Sequence, residues 1–190
     1  MKRDEAYKIL TKHLKNKNLI KHSLAAEAAM KGIYKYLYKN NYNSEREEIW
    51  GITGLLHDVD YEIAMETNDM DHHGMLIFDK EPGIPTDIAA GIRAHNFHTG
   101  IEPQNNMEWA IRCVDQLTGL IVAAALIHPD KKLASITVEF IQNRMHSKSF
   151  AKGAQRGPIL ECEKELDIPL ETFIAITLRA MKDIHTELGL

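Results

Sequence analysis

Residues 51–60 read GITGLLHDVD. The apolar pair Leu55-Leu56 leads directly into His57 and Asp58, an imidazole and a carboxylate that are costly to bury unless something satisfies both. Upstream, Ser44 with Glu47 three residues later has the form of a capping box, opening a helix that runs to about Asp58. Adjacent residues on a regular helix point about 100° apart. His57 and Asp58 therefore serve one ligand together only where the helix ends or bends, and Val59-Asp60 is consistent with an end there.

The same helical character extends outward through the chain. Asp4 to Leu14 reads as a short first helix and Leu19 to Tyr38 as a longer one, with Leu24 and Ala28 on one face. Residues 60–70 read as irregular, and His72 to Lys80 as a helical stretch that stops before Pro82-Gly83. Thr86 can cap a helix through about His95, and Asn105 or Asn106 opens a long apolar helix to about His128, stopped by Pro129. Lys132 to Met145 holds a short helical stretch, and residues 149–157 a loop or short helix. Pro158 can start a helix ending near Leu166, and Pro169 suits the first turn of a last helix to about Leu188. No segment makes a convincing strand, and no repeat, low-complexity tract or long linker breaks the pattern. The expectation is an all-α, single-domain helical bundle over residues 1–190. Its motif-bearing core spans about 18–130, with C-terminal helices of about 131–190 packed on it.

Composition narrows the class. At 190 residues the chain is long enough to bury a sizeable core, and 44% hydrophobic with 26% charged residues is ordinary for a globular protein. A net charge of -4 gives no global reason to expect binding to DNA or to a membrane surface. Cys113 and Cys162 are far apart and no CxxC occurs, so a disulfide framework is not expected and a reducing cytoplasm is the expected location. The start, MKRDEAYKIL, has no apolar segment of the signal-peptide kind. The most apolar run, Leu117 to Ile127, is shorter than the roughly 20 residues a bilayer needs, and it reads as a buried core helix.

Chemistry concentrates in the polar groups that interrupt apolar faces. His22 lies among Leu19, Ile20, Ala25, Ala26 and Ala29; His95 follows Ile88-Ala89-Ala90-Gly91-Ile92; Asp115 sits between Cys113-Val114 and Leu117. A lone histidine in such a place is more often a hydrogen-bonded core residue than a ligand, and Asp115 alone could pair with Arg112 one turn earlier. One divalent cation held by His22, His57, Asp58 and Asp115 would account for all four at once by joining three helices at a point. His13, His146 and His185 have polar neighbours and read as solvated surface, while His128 reads as a helix-end residue favoured by the terminal dipole.

The ordered pattern His22, His57-Asp58, Asp115, carried by KHSLAAEAA, GLLHDVDYE, IRAHN and CVDQLTGLIVAAALIHPDKK, resembles the HD superfamily of metal-dependent phosphohydrolases, in particular its small predicted hydrolases. The resemblance covers most of the chain. It implies that His22, His57, Asp58 and Asp115 hold a divalent metal (Mn, Mg, Fe, Co or Zn). A second metal would fall to His95 of IRAHN and an earlier histidine, His72 or His73, with His73 preferred and His98 a further candidate. The stretch DHHGM departs from the family's usual spacing at that earlier histidine, and no GYP motif follows, which leaves the cyclic-dinucleotide branch unsupported.

The activity so implied is hydrolysis of a nucleotide or another small phosphoester by a metal-activated water, with Asp58 and His57 at its centre. Asp58 itself or the pair Asp60/Glu62 would steer or accept the water's proton. An anionic substrate needs cations, for which Lys21, Arg93, Lys131 and Lys132 are the candidates and Arg144, Lys148 and Lys152 a second rim; each has the alternative of a solvated surface charge. Two other functions stay open: a non-catalytic metal- or nucleotide-binding regulatory module, and a di-iron oxygenase. A homodimer is an open possibility, with no motif assigned beyond about Lys132.

Overall fold

Short polar side chains start several of the helices. Asn43 accepts from the Arg46 amide at 3.0 Å, Asn105 from those of Met107 and Glu108 at 3.0 and 3.2 Å, and Thr137 from that of Phe140 at 3.1 Å. The computed structural model describes residues 1–147 and 149–190, and among these the chain is helical with no strand. The α-helices are α1 (Arg3–His13), α2 (Lys17–Leu37), α3 (Ser44–Leu56), α4 (Tyr61–Thr67), α5 (Thr86–His95), α6 (Asn106–Ile127), α7 (Val138–Met145), α8 (Arg156–Glu165), α9 (Leu170–Asp183) and α10 (His185–Leu188). The expected all-α single domain is the observed one.

Some local expectations are corrected. The cap of α3 is Asn43 rather than Ser44, and Glu47 is taken up by the Tyr42 hydroxyl and by Lys35 at 3.1 Å. Residues 61–67 form α4 where irregular chain was expected; only Ala64 of that helix is buried, so it carries no apolar stripe to read. The stretch from His72 to Lys80 is a series of turns instead of a helix. The Asp60 carboxylate takes the amides of Gly74 and Leu76, which a helix would have spent on its own carbonyls. The expected last helix is broken at Ile184 into α9 and α10.

Helix α6 runs through the middle of the larger core. Its Ile111, Val114, Leu117 and Ile121 meet Ala29 and Ile33 of α2 and Phe173 and Ile174 of α9. By length and composition α6 could cross a membrane, but 61% of its most apolar window is buried inside this fold. A second apolar cluster joins Leu10 and Leu14, Ile52, Leu55 and Leu56 of α3, and Ile88 and Ile92 of α5. Helices α2 and α3 pack along each other between the two clusters. Gly54 allows that approach: a methyl group there would lie 2.6 Å from the Ala26 carbonyl oxygen. The last turn of α3 is thereby brought against α2 at the level of His22.

Candidate metal centre

Four helices and one loop deliver the polar groups. His57 caps the C-terminus of α3 and Asp58 follows in the turn; His22 comes from α2, Asp115 from the middle of α6, and His95 ends α5. His73 arrives on the loop, where Gly74 adopts a φ of +89° that favours glycine. A side-chain carbon on Gly74 would lie 2.8 Å from the Ile92 carbonyl and 3.0 Å from the His95 ring, so the loop can close onto α5 only with glycine there.

The groups form two sets that share Asp58. In the first, His22 Nε2 lies 2.9 Å from Asp115 Oδ1, 3.2 Å from His57 Nε2 and 3.5 Å from Asp58 Oδ2. His57 Nε2 lies 3.5 Å from both Asp58 Oδ1 and Asp115 Oδ1. In the second, His73 Nε2 lies 2.8 Å from Asp58 Oδ1 and 3.0 Å from His95 Nε2, which is itself 3.5 Å from Asp58 Oδ1. Within each set the donor atoms all lie within 4.8 Å of one another. His57 is fully buried and Asp58, His73 and His95 nearly so.

Each imidazole is held by its far nitrogen. Nδ1 of His57 donates to the Gly54 carbonyl at 2.8 Å, that of His95 to the Ile92 carbonyl at 2.5 Å, and that of His73 to Asp60 at 2.8 Å. His22 Nδ1 faces the Thr118 hydroxyl at 3.4 Å, and that hydroxyl spends its own proton on the Asp115 carbonyl. A carbonyl or carboxylate only accepts, so the proton sits on Nδ1 and the neutral ring presents a bare lone pair at Nε2. Two such pairs of lone pairs meet at 3.2 and 3.0 Å, beside two carboxylates. That arrangement is repulsive unless positive charge enters it.

Protons or a metal ion can supply the charge. Burial pushes the His57 imidazole down, but the carboxylates of Asp58 and Asp115 outweigh it and raise it to about 9. Burial likewise opposes protonation of His73, and Asp58 and Asp60 raise it to about 10. His95 is pushed down, first by burial and also by its imidazole neighbours His73 and His57. Against their own burial, Asp58 is held well below the ordinary carboxylate range, chiefly by His57, and Asp115 is lowered by His22 and His57.

A metal fits as well. Nitrogen and oxygen donors at about 2.0–2.2 Å from one ion stand roughly 2.8–3.6 Å apart at neighbouring positions of a tetrahedral or octahedral shell. The His–His and His–Asp separations given above run from 2.8 to 3.5 Å. An outward Nδ1–H bonded to a carbonyl or carboxylate is the usual second layer of a metal-binding histidine. The buried His/Asp group can therefore hold a metal ion.

No family model, no curated protein and no solved structure matches the chain. What the centre can do rests on its own geometry.

The centre opens into a cleft of about 610 Å³ whose walls include Leu19, Tyr61, Met70, Phe97 and residues 151–155 in part. The structure brings together His22, His57, Asp58, Asp115, His73 and His95, all the expected ligands. It separates the choice at DHHGM: His73 enters the centre, while His72 is exposed and paired with Asp69 at 2.6 Å. His98 lines the cleft outside the two sets. The alternative partner for Asp115 is not used, because Arg112 donates to the carbonyls of Ala94 and Ile101 at 3.0 and 2.6 Å.

Several of the other candidates lie away from the cleft. Among the described residues, no lysine or arginine lines the cleft. Lys21 points to the chain end, its Nζ beside Gly189, and the Arg93 guanidinium stacks 3.9 Å above the Phe78 ring. Lys131 and Lys132 lie beyond the end of α6, which extends about 18 Å past Asp115 at 1.5 Å per residue. Arg144 sits over Phe140, Lys152 is exposed between the cleft residues Ala151 and Gly153, and Lys148 lies outside the described residues. Glu62 accepts from the amides of Lys15 and Asn16, and Asp60 from His73, Gly74 and Leu76, and neither lines the cleft. His13 is not solvated surface but pairs with Glu81 at 2.7 Å.

Sequence reasoning missed Gln116 and Asp71 on the cleft wall and the orienting part of Asp60. Gln116 had a signal, since it directly follows a proposed ligand. The other two had none, because the chain that joins them to the site has no period.

Proposed function

We propose that this chain is a metal-dependent phosphohydrolase of the HD superfamily, acting on a nucleotide or other small phosphoester. The observation that supports it most is the set of inward Nε2 atoms gathered around Asp58 and Asp115, each ring anchored outward through Nδ1. His22, His57, Asp58 and Asp115 would hold one ion, and His73 and His95 a second, with Asp58 common to both. Donors of nitrogen and oxygen only suit Mn, Mg, Fe, Co or Zn. Such an ion supplies a water of lowered pKa and polarises a phosphoryl oxygen.

The chain's own contribution is positioning. Gly54 and Ile92 carbonyls and the Asp60 carboxylate keep His57, His95 and His73 in the tautomer that faces inward. Tyr61, Phe97 and Met70 give the cleft an apolar wall for the organic part of the substrate. Outside the two sets the wall also carries Tyr61, Asp71 and His98, and on this reading a polar side chain among them hands a proton to the leaving group. With no described lysine or arginine in the lining, the phosphate charge is met by the ions.

The test is elemental analysis of protein purified without chelator, then phosphate release from a panel of nucleotides and small phosphoesters with Mn²⁺ or Co²⁺. The expected result is metal in the wild type, none in Asp58→Ala, and phosphate release that Asp58→Ala abolishes. Tight nucleotide binding without turnover would move the reading to a regulatory module. Two irons per chain with oxygen consumption and no phosphate release would move it to an oxygenase.

A further inference from the structure

The carboxylate of Asp115 has its second oxygen occupied. Oδ1 faces His22 and His57, whereas Oδ2 accepts from Gln116 Nε2 at 2.6 Å. The other end of that amide is occupied too: Gln116 Oε1 accepts from the backbone amide of Gln155 at 2.8 Å. A backbone N–H can only donate, so it fixes which end of the Gln116 amide is oxygen and leaves the NH₂ for Asp115. One side chain thus links a proposed ligand to residue 155 of the cleft wall, 39 positions away in sequence.

The wall it reaches is organised from its far side. The Arg156 guanidinium donates to the carbonyls of Phe150 at 2.6 Å, Ala151 at 2.8 Å and Ala154. Ala151 adopts a φ of +43°, a left-handed conformation that is unfavourable for a non-glycine residue. The segment is therefore shaped by Arg156 and α8, and its hydrogen bond to the helix carrying the centre runs through Gln116.

We infer that Gln116 is a positioning residue: it fixes Asp115 as a one-oxygen ligand and couples the cleft wall at residues 151–155 to occupancy of the centre. The inference rests on the metal reading above. When a cation draws Asp115 Oδ1 inward, Oδ2 and the Gln116 amide are held with it, and the Gln155 amide is kept in place. Without the cation, Asp115 turns more freely and the wall is less firmly held. The cleft would then be fully formed for a substrate only when the centre is loaded.

The experiment titrates Mn²⁺ into metal-free protein by calorimetry and follows hydrogen exchange over residues 151–155 with and without Mn²⁺. Three chains are compared: wild type, Gln116→Met, which keeps the length of the side chain without its hydrogen bonds, and Gln155→Pro, which removes the N–H that Gln116 accepts from, along with the Gln155 side chain, which takes no part in that bond. The φ of −77° at Gln155 suits proline. In the wild type Mn²⁺ slows exchange across the segment. In Gln116→Met, Mn²⁺ binding weakens by about tenfold or more and the segment no longer responds. In Gln155→Pro the response of the remaining amides is lost while Mn²⁺ still binds. A segment that responds to Mn²⁺ in either variant as in the wild type overturns the inference, as does a wild-type segment that never responds. If Gln116→Met does not fold, Gln155→Pro decides. A wild-type chain that takes up no Mn²⁺ overturns the metal reading itself, and the inference with it.

Discussion

Gly54 of α3 lies against the backbone of Ala26 in α2 so closely that a methyl group on it would come within 2.6 Å of the Ala26 carbonyl oxygen and 2.9 Å of the Glu27 nitrogen. The contact is backbone to backbone, so no side chain can turn aside to relieve it. Three residues later, His57 donates back to the Gly54 carbonyl. The glycine thus sets both the spacing of the two helices and the orientation of an imidazole. Gly54→Ala is expected to destabilise the fold by about 1–3 kcal/mol, the usual cost of overpacking. It should also weaken metal binding, since His22 and His57 are separated as the helices part. Thermal melts with and without metal check both effects.

Asp60 has a different task from Asp58 two residues before it. Its buried carboxylate accepts from His73 Nδ1 and from the amides of Gly74 and Leu76. Asp60→Asn leaves one oxygen to do this, and the amide NH₂ would face donors. His73 then loses its fixed tautomer, and the second set loses affinity by about 10–100-fold. The first set, whose other members have no contact with Asp60, should keep its ion. A metal titration that falls from two equivalents to one is the expected outcome; an unchanged second equivalent would count against the assignment of His73.

The sequence-level reading was strongest where a polar group broke an apolar helical face. His22, His57, His95 and Asp115 stood out for that reason, because periodicity marks a face and a charged intruder on it must be satisfied. It was weakest where sequence neighbourhood stood in for space. Lys21 and Arg93 are one and two residues from ligands, yet neighbours on a helix diverge by about 100° per residue, so their charges end at Gly189 and on Phe78. The stretch from 60 to 80 was illegible for another reason. Its turns are set by long-range bonds to Asp60 and by the close approach of Gly74 to α5, and neither leaves a period in the sequence.

The same divergence makes a prediction about Arg93. Its guanidinium stacks on Phe78 at the edge of the smaller core and does not line the cleft. Arg93→Ala should cost roughly 0.5–2 kcal/mol of stability through the lost cation–π contact. Any phosphate-releasing activity should stay close to that of wild type, since the guanidinium does not face the cleft. A large fall in activity with unchanged melting would return Arg93 to the substrate.

The charge of the centre predicts opposite responses to pH with and without metal. In metal-free protein His57 and His73 are raised from the ordinary 6.5 to about 9 and about 10 by the carboxylates around them. A folded-state value above the unfolded one means that folding favours the protonated form. That contribution is complete below pH 6.5 and is lost as pH climbs through 9 and 10. Metal-free protein should therefore melt at progressively lower temperature across this window. Metal binding runs the other way, because the ion must displace the protons from Nε2, so affinity rises as pH rises. The difference in melting temperature between Mn²⁺-loaded and chelator-treated protein should widen from pH 6.5 towards pH 9. A gap that stays constant would mean that no proton leaves the histidines when the ion enters, and His57 and His73 would not be ligands.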